Sequence, residues 1–282
     1  DGTLEKLIKY NPKISKFSLG DDISLIRNQT ISKIENAWIL YLEPYESIIS
    51  GLENLVKVVS GPVSAYNIGV LQGNILTRQI RLWHSSLGYK FTNPVFETVE
   101  GESQFLNCFI SSSPPNKHFY DTNDLLQKWH KRSLLKPDPF YYMACNELTN
   151  QKWESFINYA EMYLHQQKIH NMSFYMTHYY LGLVHCYVKK DFKKALQYAY
   201  APLLKNPVMA EFWCLVGDIL YALKQYEKAF HFYENAKIIG SKRLQTSEWP
   251  MEISKYHDYP NKMMDSCRKI LGETKIYYGE SE

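Results

Sequence analysis

The chain has 282 residues, of which 45% are hydrophobic and 22% charged, and its formal net charge is +3. This length is enough to bury a sizeable core in two domains, and the weak charge argues against nucleic acid as a partner without excluding it. The sequence has no apolar run as long as a membrane span and five cysteines without paired spacing, so we expect a cytoplasmic protein without disulfides or zinc.

Residues 1–115 alternate between helix and strand patterns. Asp22 is placed to cap a helix, and the apolar run after that helix has the length and composition of a buried strand. The predicted elements are helices at Thr3–Tyr10, Ile23–Glu35 and Ser47–Val59, and strands at Lys13–Phe17, Ala37–Glu43, Tyr66–Gln72, Arg78–His84 and Phe105–Ile110. Such alternation favours an α/β domain with a mostly parallel sheet and a ligand crevice at the strand ends.

A turn-rich break at Ser111–Asn116 separates this region from an all-helical one. The predicted domains are therefore residues 1–115 and residues 116–282. Just beyond the break, Lys128–Lys136 is the densest basic stretch of the chain, and we interpret it as a solvated helix face.

The helical region carries a repeat. Gly217 stands where two helices would cross, and Ala229 follows on the second helix, as in tetratricopeptide repeats. Ala195 repeats the Ala229 position 34 residues earlier, whereas Gly182 is one residue out of register with Gly217, so its helix is predicted to be irregular. We predict three such hairpins and a closing helix at 259–271.

Two acids, Glu43 and Glu46, stand at the end of the predicted strand Ala37–Glu43. Carboxylates at the C-terminal edge of a strand can build a metal and phosphate site, because hard cations prefer oxygen ligands. We therefore predict that Glu43 and Glu46 hold a divalent cation, Mn²⁺ or Mg²⁺. The alternative is a solvated strand end in a degenerate site.

The residues before these acids carry a family resemblance. A DDFSxARN motif, followed by an amphipathic helix and a strand ending in Asp-x-Asp, is matched here by Asp21, Asp22, Ser24, Arg27 and Asn28. The order resembles family-2-type glycosyltransferases of the GT-A fold. Where that family has Leu-Asp-Ala-Asp-Glu, this chain has Leu-Glu-Pro-Tyr-Glu over residues 42–46.

A second stretch, Arg78–Glu97, resembles the R-x-x-RLFRN-x-G-x-x-F-x-G-x-V-H-E element of the same family. The matching positions are Arg81, Leu82, Gly88, Phe91, Val95 and Glu97. Phe96 stands where the family has His. The opening Asp-Gly-Thr resembles a turn inside the family's nucleotide-binding half, so we expect the chain to begin partway through the domain, after its first strands.

The resemblance implies a partial GT-A domain, Rossmann-like, followed by tetratricopeptide repeats. It implies transfer of a sugar from a nucleotide-sugar donor to an acceptor in a protein, peptide or glycan, with the repeats docking the acceptor or a partner protein. In the implied inverting displacement, Glu97 deprotonates the acceptor and a cation at Glu43 and Glu46 stabilises the leaving diphosphate. The implied donor-binding residues are Asp22, Arg27, Asn28 and Arg81.

Other interpretations remain open at this point. The altered acidic end and the missing His favour a catalytically degenerate scaffold whose tetratricopeptide groove binds a peptide or helix. On that interpretation Asp22 is a helix cap and Glu97 an ordinary surface acid. Assembly of the repeats into a homo-oligomer is a third possibility.

Overall fold

The structure is a computed structural model that describes residues 3–14, 17–18, 20–113, 121–133, 138–246 and 250–275. We call residues 3–113 the front part and residues 121–275 the helical part. The predicted domain boundary at residue 115 lies outside the described residues.

The front part contains a main sheet, a two-stranded sheet formed by β5 and β6, and three short α-helices among its described residues. Its helices are α1 (Thr3–Ile8), α2 (Ile23–Ile31) and α3 (Leu52–Val58). Its strands are β1 (Trp38–Leu40), β2 (Glu46–Ser50), β3 (Ala65–Gln72), β4 (Ile75–His84), β5 (Phe91–Thr92), β6 (Thr98–Val99) and β7 (Gln104–Ser112).

The helical part continues the chain with paired helices. They are α4 (Thr122–Arg132), α5 (Asp138–Thr149), α6 (Trp153–Gln166), α7 (Met172–Leu183), α8 (Phe192–Lys205), α9 (Ala210–Ala222), α10 (Tyr226–Thr246) and α11 (Asp258–Lys275). A two-residue strand, β8 (Met251–Glu252), precedes α11.

The main sheet is mixed, with the strand order β1-β4-β3-β7-β2 and with β8 paired to β4. Within the described residues only β3 and β7 run parallel, and the other neighbours are antiparallel. The prediction of a mostly parallel sheet is therefore wrong. The cause is local: the two residues Gly73 and Asn74 join β3 to β4, and so short a loop can connect only antiparallel strands.

The segment around β2 also differs from its prediction. The helix expected over Ser47–Val59 begins only at Leu52, because Ile48 pairs with Ile110 of β7 and the preceding residues form a strand. Gly51 marks the change: its φ is +78°, and a Cβ there would lie 2.2 Å from the carbonyl oxygen of Asn107. Only glycine allows this turn, so the helix cannot extend backwards.

In the front part, the predicted helix cap is confirmed, and two predicted elements are shorter in the structure than expected. Asp22 caps α2, since its Oδ1 accepts a hydrogen bond from the Leu25 amide at 3.2 Å. The helix predicted to reach Glu35 ends at Ile31, and the strand predicted over Ala37–Glu43 is limited to Trp38–Leu40. The described residues of the expected strand Lys13–Phe17 have no strand conformation, and residues 15 and 16 lie outside the description.

The helical part has the tetratricopeptide-like hairpins that the sequence predicts. α5 packs on α6, α7 on α8 and α9 on α10, and α11 closes the stack against α10. Small residues allow the close crossings: Ala195 and Ala229 are fully buried, and a Cβ on Gly217 would lie 2.7 Å from the Tyr233 ring. The core of this part therefore depends on the small residues that define the repeat.

The irregular helix predicted at Gly182 has a structural explanation. α7 continues into a π-helical turn, Val184–Val188, before α8 begins. A π-helical turn accommodates one extra residue in a helix. The one-residue offset between Gly182 and Gly217 is absorbed there, and Gly182 still packs against Leu215.

The front and helical parts are joined by residues 250–256. β8 pairs with β4 through Ile75 and Glu252. The Glu252 carboxylate also accepts a hydrogen bond from the Tyr179 hydroxyl at 2.7 Å, and the Glu252 amide donates to Glu211 at 3.0 Å. Because Tyr179 and Glu211 belong to α7 and α9, this segment covers the face of the first helices of two hairpins.

Protonation of His178 of α7 should make the stability of the protein sensitive to pH. Burial, with a smaller effect of the Lys205 charge, lowers the pKa of His178 from 6.5 to about 4. Protonation therefore favours the unfolded chain, and the free energy of unfolding should fall by about 2–3 kcal/mol between pH 6.5 and 4. In urea titrations at pH 7 and 4.5, His178→Asn should lose less stability on acidification than the intact chain. His165→Asn, at an exposed site, is the control, and equal losses in all three proteins would contradict the assignment.

Candidate functional site

Arg27 connects two of the predicted site acids. Its Nη2 atom lies 2.6 Å from Oε1 of Glu43, and its Nε atom donates a hydrogen bond to Oε1 of Glu97. The guanidinium carbon lies 4.7 Å from the centre of the Tyr41 ring and 5.5 Å from that of Phe91. Three side chains that are distant in sequence therefore meet on an aromatic support.

The position of Arg27 is fixed through its neighbour Asn28. The Asn28 side chain donates to the Phe91 carbonyl at 2.9 Å and accepts from the Phe91 amide at 2.8 Å. At the start of the same helix, the Ile23 amide donates to the Pro94 carbonyl at 2.8 Å. α2 is thus attached at two points to the segment that carries Glu97.

Glu97 is the last residue of the tight loop between β5 and β6. Asn93 and Phe96 have positive φ angles of 68° and 54°, which turn the chain within a few residues. The Phe96 ring stacks on Tyr142 of α5 with ring centres 5.2 Å apart. Phe96 therefore packs against the helical part and holds the loop of Glu97.

Arg81 and Glu46 form a second pair. Arg81 Nη2 lies 2.9 Å from Glu46 Oε1, and the other oxygen of Glu46 accepts from the Glu43 amide at 2.9 Å. The side chains of Arg81 and Glu46 are only 5% and 1% exposed. Glu46 therefore acts as an internal ion-pair partner and as a cap for the turn at Glu43.

A β-bulge directs Arg81 into the protein. Tyr66 pairs with Leu82 and Asn67 pairs with Ile80, so Arg81 is the extra residue on β4. Its guanidinium carbon lies 4.5 Å from the centre of the Tyr41 ring. Among the described residues its Nε and Nη1 atoms are buried without a hydrogen-bond acceptor.

Tyr41 is the site residue that the sequence analysis missed. Its ring lies against both arginines, and its hydroxyl donates a hydrogen bond to Oε1 of Glu43. Burial raises the pKa of the phenol, and Glu43 raises it further against the opposing Arg27 charge, so the hydroxyl stays protonated. The signal was available: Tyr41 lies two residues before Glu43, which puts both on one side of extended chain.

Each acid of the site has a cationic partner within the site. Burial lowers the pKa of the Arg27 guanidinium, but Glu97, Tyr41 and Glu43 outweigh it, so the pKa is raised and the group stays cationic. Two guanidinium groups thus face the carboxyl groups of Glu43, Glu46 and Glu97. The arrangement holds acids in place; it does not present them together towards solvent.

A cleft of about 320 Å³ adjoins this network. Tyr41, Phe91 and Glu97 line it on the side of the ion pairs. The rest of its wall consists of polar residues of the neighbouring strands and loops, together with Ile80, Val99 and Gly101; the polar residues are Asn67, Arg78, Gln79, Thr98, Glu100 and Ser103. The volume is at the lower end of the range for small-molecule sites.

The predicted site residues fall into three groups. Arg27, Glu43 and Glu97 contact one another, and Arg81 and Glu46 form a pair beside them. Asp22 and Asn28 make the cap and the Phe91 contacts described above. A donor-binding role for either, and a cation at Glu43 and Glu46, stay predictions. Among the described residues no group of three or more His, Cys, Asp or Glu side chains could hold a metal ion.

The basic stretch at 128–136 has a role at the junction of the two parts. Asp21 accepts hydrogen bonds from Lys128 at 2.8 Å and from Arg132 at 3.0 Å. The side chains of Lys128 and Arg132 are 40% and 57% exposed, so they belong to a solvated helix face that also pairs with Asp21. Residues 134–136 lie outside the description.

Comparison with known proteins gives matches among solved structures. No protein-family model matches the chain, and no curated protein matches it. A solved structure of MamA, residues 41 to the end, from Desulfovibrio magneticus RS-1 is 16% identical, covers 53% of this chain and 84% of its own, and has a TM-score of 0.37. A MamA RS-1 double mutant is 18% identical, covers 53% of this chain and 85% of its own, and has a TM-score of 0.36. A further MamA crystal structure is 12% identical, covers 55% of this chain and 89% of its own, and also has a TM-score of 0.36.

Similarity at TM-scores this low does not bear on the function of the chain. The hairpins of residues 138–246 are described as tetratricopeptide-like because of their own helix packing. Among the described residues, no helix combines the length and the apolar character that crossing a membrane requires.

The Asn28 contacts predict a stability effect. Asn28→Ala would leave the amide and carbonyl groups of Phe91 without these partners, so the free energy of unfolding should fall by about 2 kcal/mol. Gln29→Ala, at the exposed neighbouring position, should change it by less than about 0.5 kcal/mol. Urea unfolding followed by tryptophan fluorescence measures both. Equal, small effects would mean that the Asn28 contacts do not hold α2 in place.

Proposed function

We propose that this chain is a protein-binding module, in which tetratricopeptide-like hairpins provide the binding surface and the front part is a catalytically degenerate glycosyltransferase-like scaffold. The observation that carries this proposal is the pairing of the acids. Glu43 and Glu97 contact Arg27, and Glu46 contacts Arg81. Acids engaged in this way support the fold, because separating a buried ion pair strongly destabilises a protein.

The binding surface follows from which helix faces are covered. The first helices of the hairpins are covered by the front part, by α4 and by residues 250–256. The second helices, α6, α8 and α10, present large exposed apolar side chains on the outer side. These are Met162, Tyr200, Leu204 and Ile238, exposed by 45%, 38%, 83% and 57%.

The three outer helices form a continuous face. The Tyr198 hydroxyl of α8 donates to Glu161 of α6 at 2.9 Å, and the rings of Tyr200 and Phe232 join α8 to α10 with centres 6.3 Å apart. Large exposed apolar side chains surrounded by a polar rim are typical of protein-binding sites. The proposed partner is therefore a protein segment with apolar side chains.

Leu204→Glu should remove partner binding without unfolding the chain. The side chain is mostly in solvent, so stability should change by less than about 0.5 kcal/mol, whereas a charge in an apolar contact should weaken binding at least about tenfold. The measurement is affinity capture from an extract of the cells that produce the protein. Val63→Glu, an exposed apolar residue of the front part, is the matched control.

The result that supports the proposal is a polypeptide retained by the intact chain and by Val63→Glu but lost with Leu204→Glu. Identical retention by all three proteins, or no specific retention, would contradict the proposed surface.

A glycosyltransferase is the second candidate, and the cleft beside Glu97 is the observation that favours it. On this alternative Glu97 deprotonates the acceptor, Arg27 and Arg81 face the diphosphate, and Asp22 and Asn28 bind the donor. Release of Glu97 from Arg27 would be needed before it could act as a base.

A thermal-shift panel separates the two candidates. Nucleotide diphosphates and nucleotide sugars are tested on the full chain with and without Mn²⁺ or Mg²⁺. A ligand at a hundred times its dissociation constant would add about 2.7 kcal/mol of stability. The protein-binding proposal expects no shift with any of them. A shift that Glu97→Gln or Arg27→Ala removes, while Gln29→Ala retains it, would favour the transferase.

A further inference from the structure

One guanidinium brings two carboxylates to a common point. Nε and Nη2 are neighbouring donors on one edge of the Arg27 guanidinium, and they contact Glu97 and Glu43 respectively. The two acids must therefore face the same small volume. A divalent cation bound by both acids would have to occupy the space that the Arg27 guanidinium fills.

The pair Glu43 and Glu46 does not fit the cation that the GT-A resemblance implies. Glu46 is turned into the protein, where its two oxygens accept from Arg81 and from the Glu43 amide. Its side chain is 1% exposed, which leaves no route for a hydrated ion. Mg²⁺ and Mn²⁺ prefer carboxylate, carbonyl and water oxygens, with Mg²⁺ keeping several of its waters.

The cationic charge at this place is held firmly. The Arg27 guanidinium lies against the rings of Tyr41 and Phe91, and Asn28 attaches its helix to the Phe91 backbone. A divalent ion beside it would meet a like charge at a few ångströms in a partly buried site, where screening by water is weak. Both the space and the charge therefore oppose cation binding.

We propose that Arg27 is a built-in counter-ion for Glu43 and Glu97. The intact chain binds no Mg²⁺ or Mn²⁺ at these acids, and it gains a divalent-cation site there when the charge of Arg27 is removed. This inference goes beyond the proposed function, because it concerns the ion chemistry of the front part and does not depend on any partner.

The test uses Mn²⁺ alone, with no nucleotide, on the full chain. The electron paramagnetic resonance signal of free Mn²⁺ reports how much remains unbound during a titration at pH 7. The intact chain should leave the signal unchanged at up to millimolar Mn²⁺. Arg27→Met should bind one Mn²⁺ per chain at least about tenfold more tightly, because the repulsion is gone and two carboxylates are released.

Two further variants locate the effect. Arg268→Met removes the same charge from an exposed pair with Asp265 and should behave as the intact chain. Arg27→Met combined with Glu43→Gln should lose the gained site. If Arg27→Met does not fold, Arg27→Gln replaces it, since Gln keeps one hydrogen-bond donor for the acids.

Two outcomes would overturn the inference. In the first, the intact chain binds one Mn²⁺ and the substitution Glu43→Gln abolishes that binding. This measurement does not require any Arg27 variant to fold. The other is a folded Arg27 variant that binds Mn²⁺ no better than Arg268→Met. Either result is distinguishable from a failure of the protein-binding proposal, because that proposal is measured by partner capture and by nucleotide-sugar shifts.

Discussion

Among the described residues, buried acids are matched by a cation or by hydroxyl donors, and the fold depends on that compensation. Glu46 pairs with Arg81 inside the sheet, and Glu211 pairs with Arg243 at 2.9 Å in the helical core. Asp218 accepts hydrogen bonds from three tyrosine hydroxyls and lies 3.7 Å from Lys255. An uncompensated charge at such sites would cost several kcal/mol, so each pair fixes the elements that carry it.

The same requirement explains why the front part and the helical part are attached where they are. Residues 250–256 bring Glu252 to Tyr179 and Lys255 to Asp218. The pair Glu211–Arg243 lies beside them. Glu252 and Lys255 would lose these partners if the segment moved away. The segment is therefore a structural part of the helical core as well as an edge of the sheet.

Sequence patterns predicted the elements whose signals are local. The long strands β3, β4 and β7, the Asp22 cap and the paired helices follow from periodicity, capping chemistry and small residues at fixed spacing. The direction of the strands and the first half of Ser47–Val59 were missed. Short apolar runs are compatible with helix or strand, and pairing with β7 decided the outcome at Ile48.

The candidate site was predicted in its members but not in its connections. The resemblance drew attention to Arg27, Glu43, Glu46, Arg81 and Glu97, and the structure brings all of them to one region. Sequence could not tell whether an acid faces a bound ion or an arginine, because that choice depends on side-chain directions set by a bulge and a tight hairpin. Tyr41 had a signal of its own in the alternation along the strand.

The pairing of β8 with β4 has a consequence for the order in which the protein can form during synthesis. Ile75 and Leu76 find their partners in Met251 and Glu252, which leave the ribosome about 175 residues later. Until then the start of β4 is an open strand edge, able to pair with another chain. The nascent protein is thus exposed to misassembly while the residues between β4 and β8 are being synthesised.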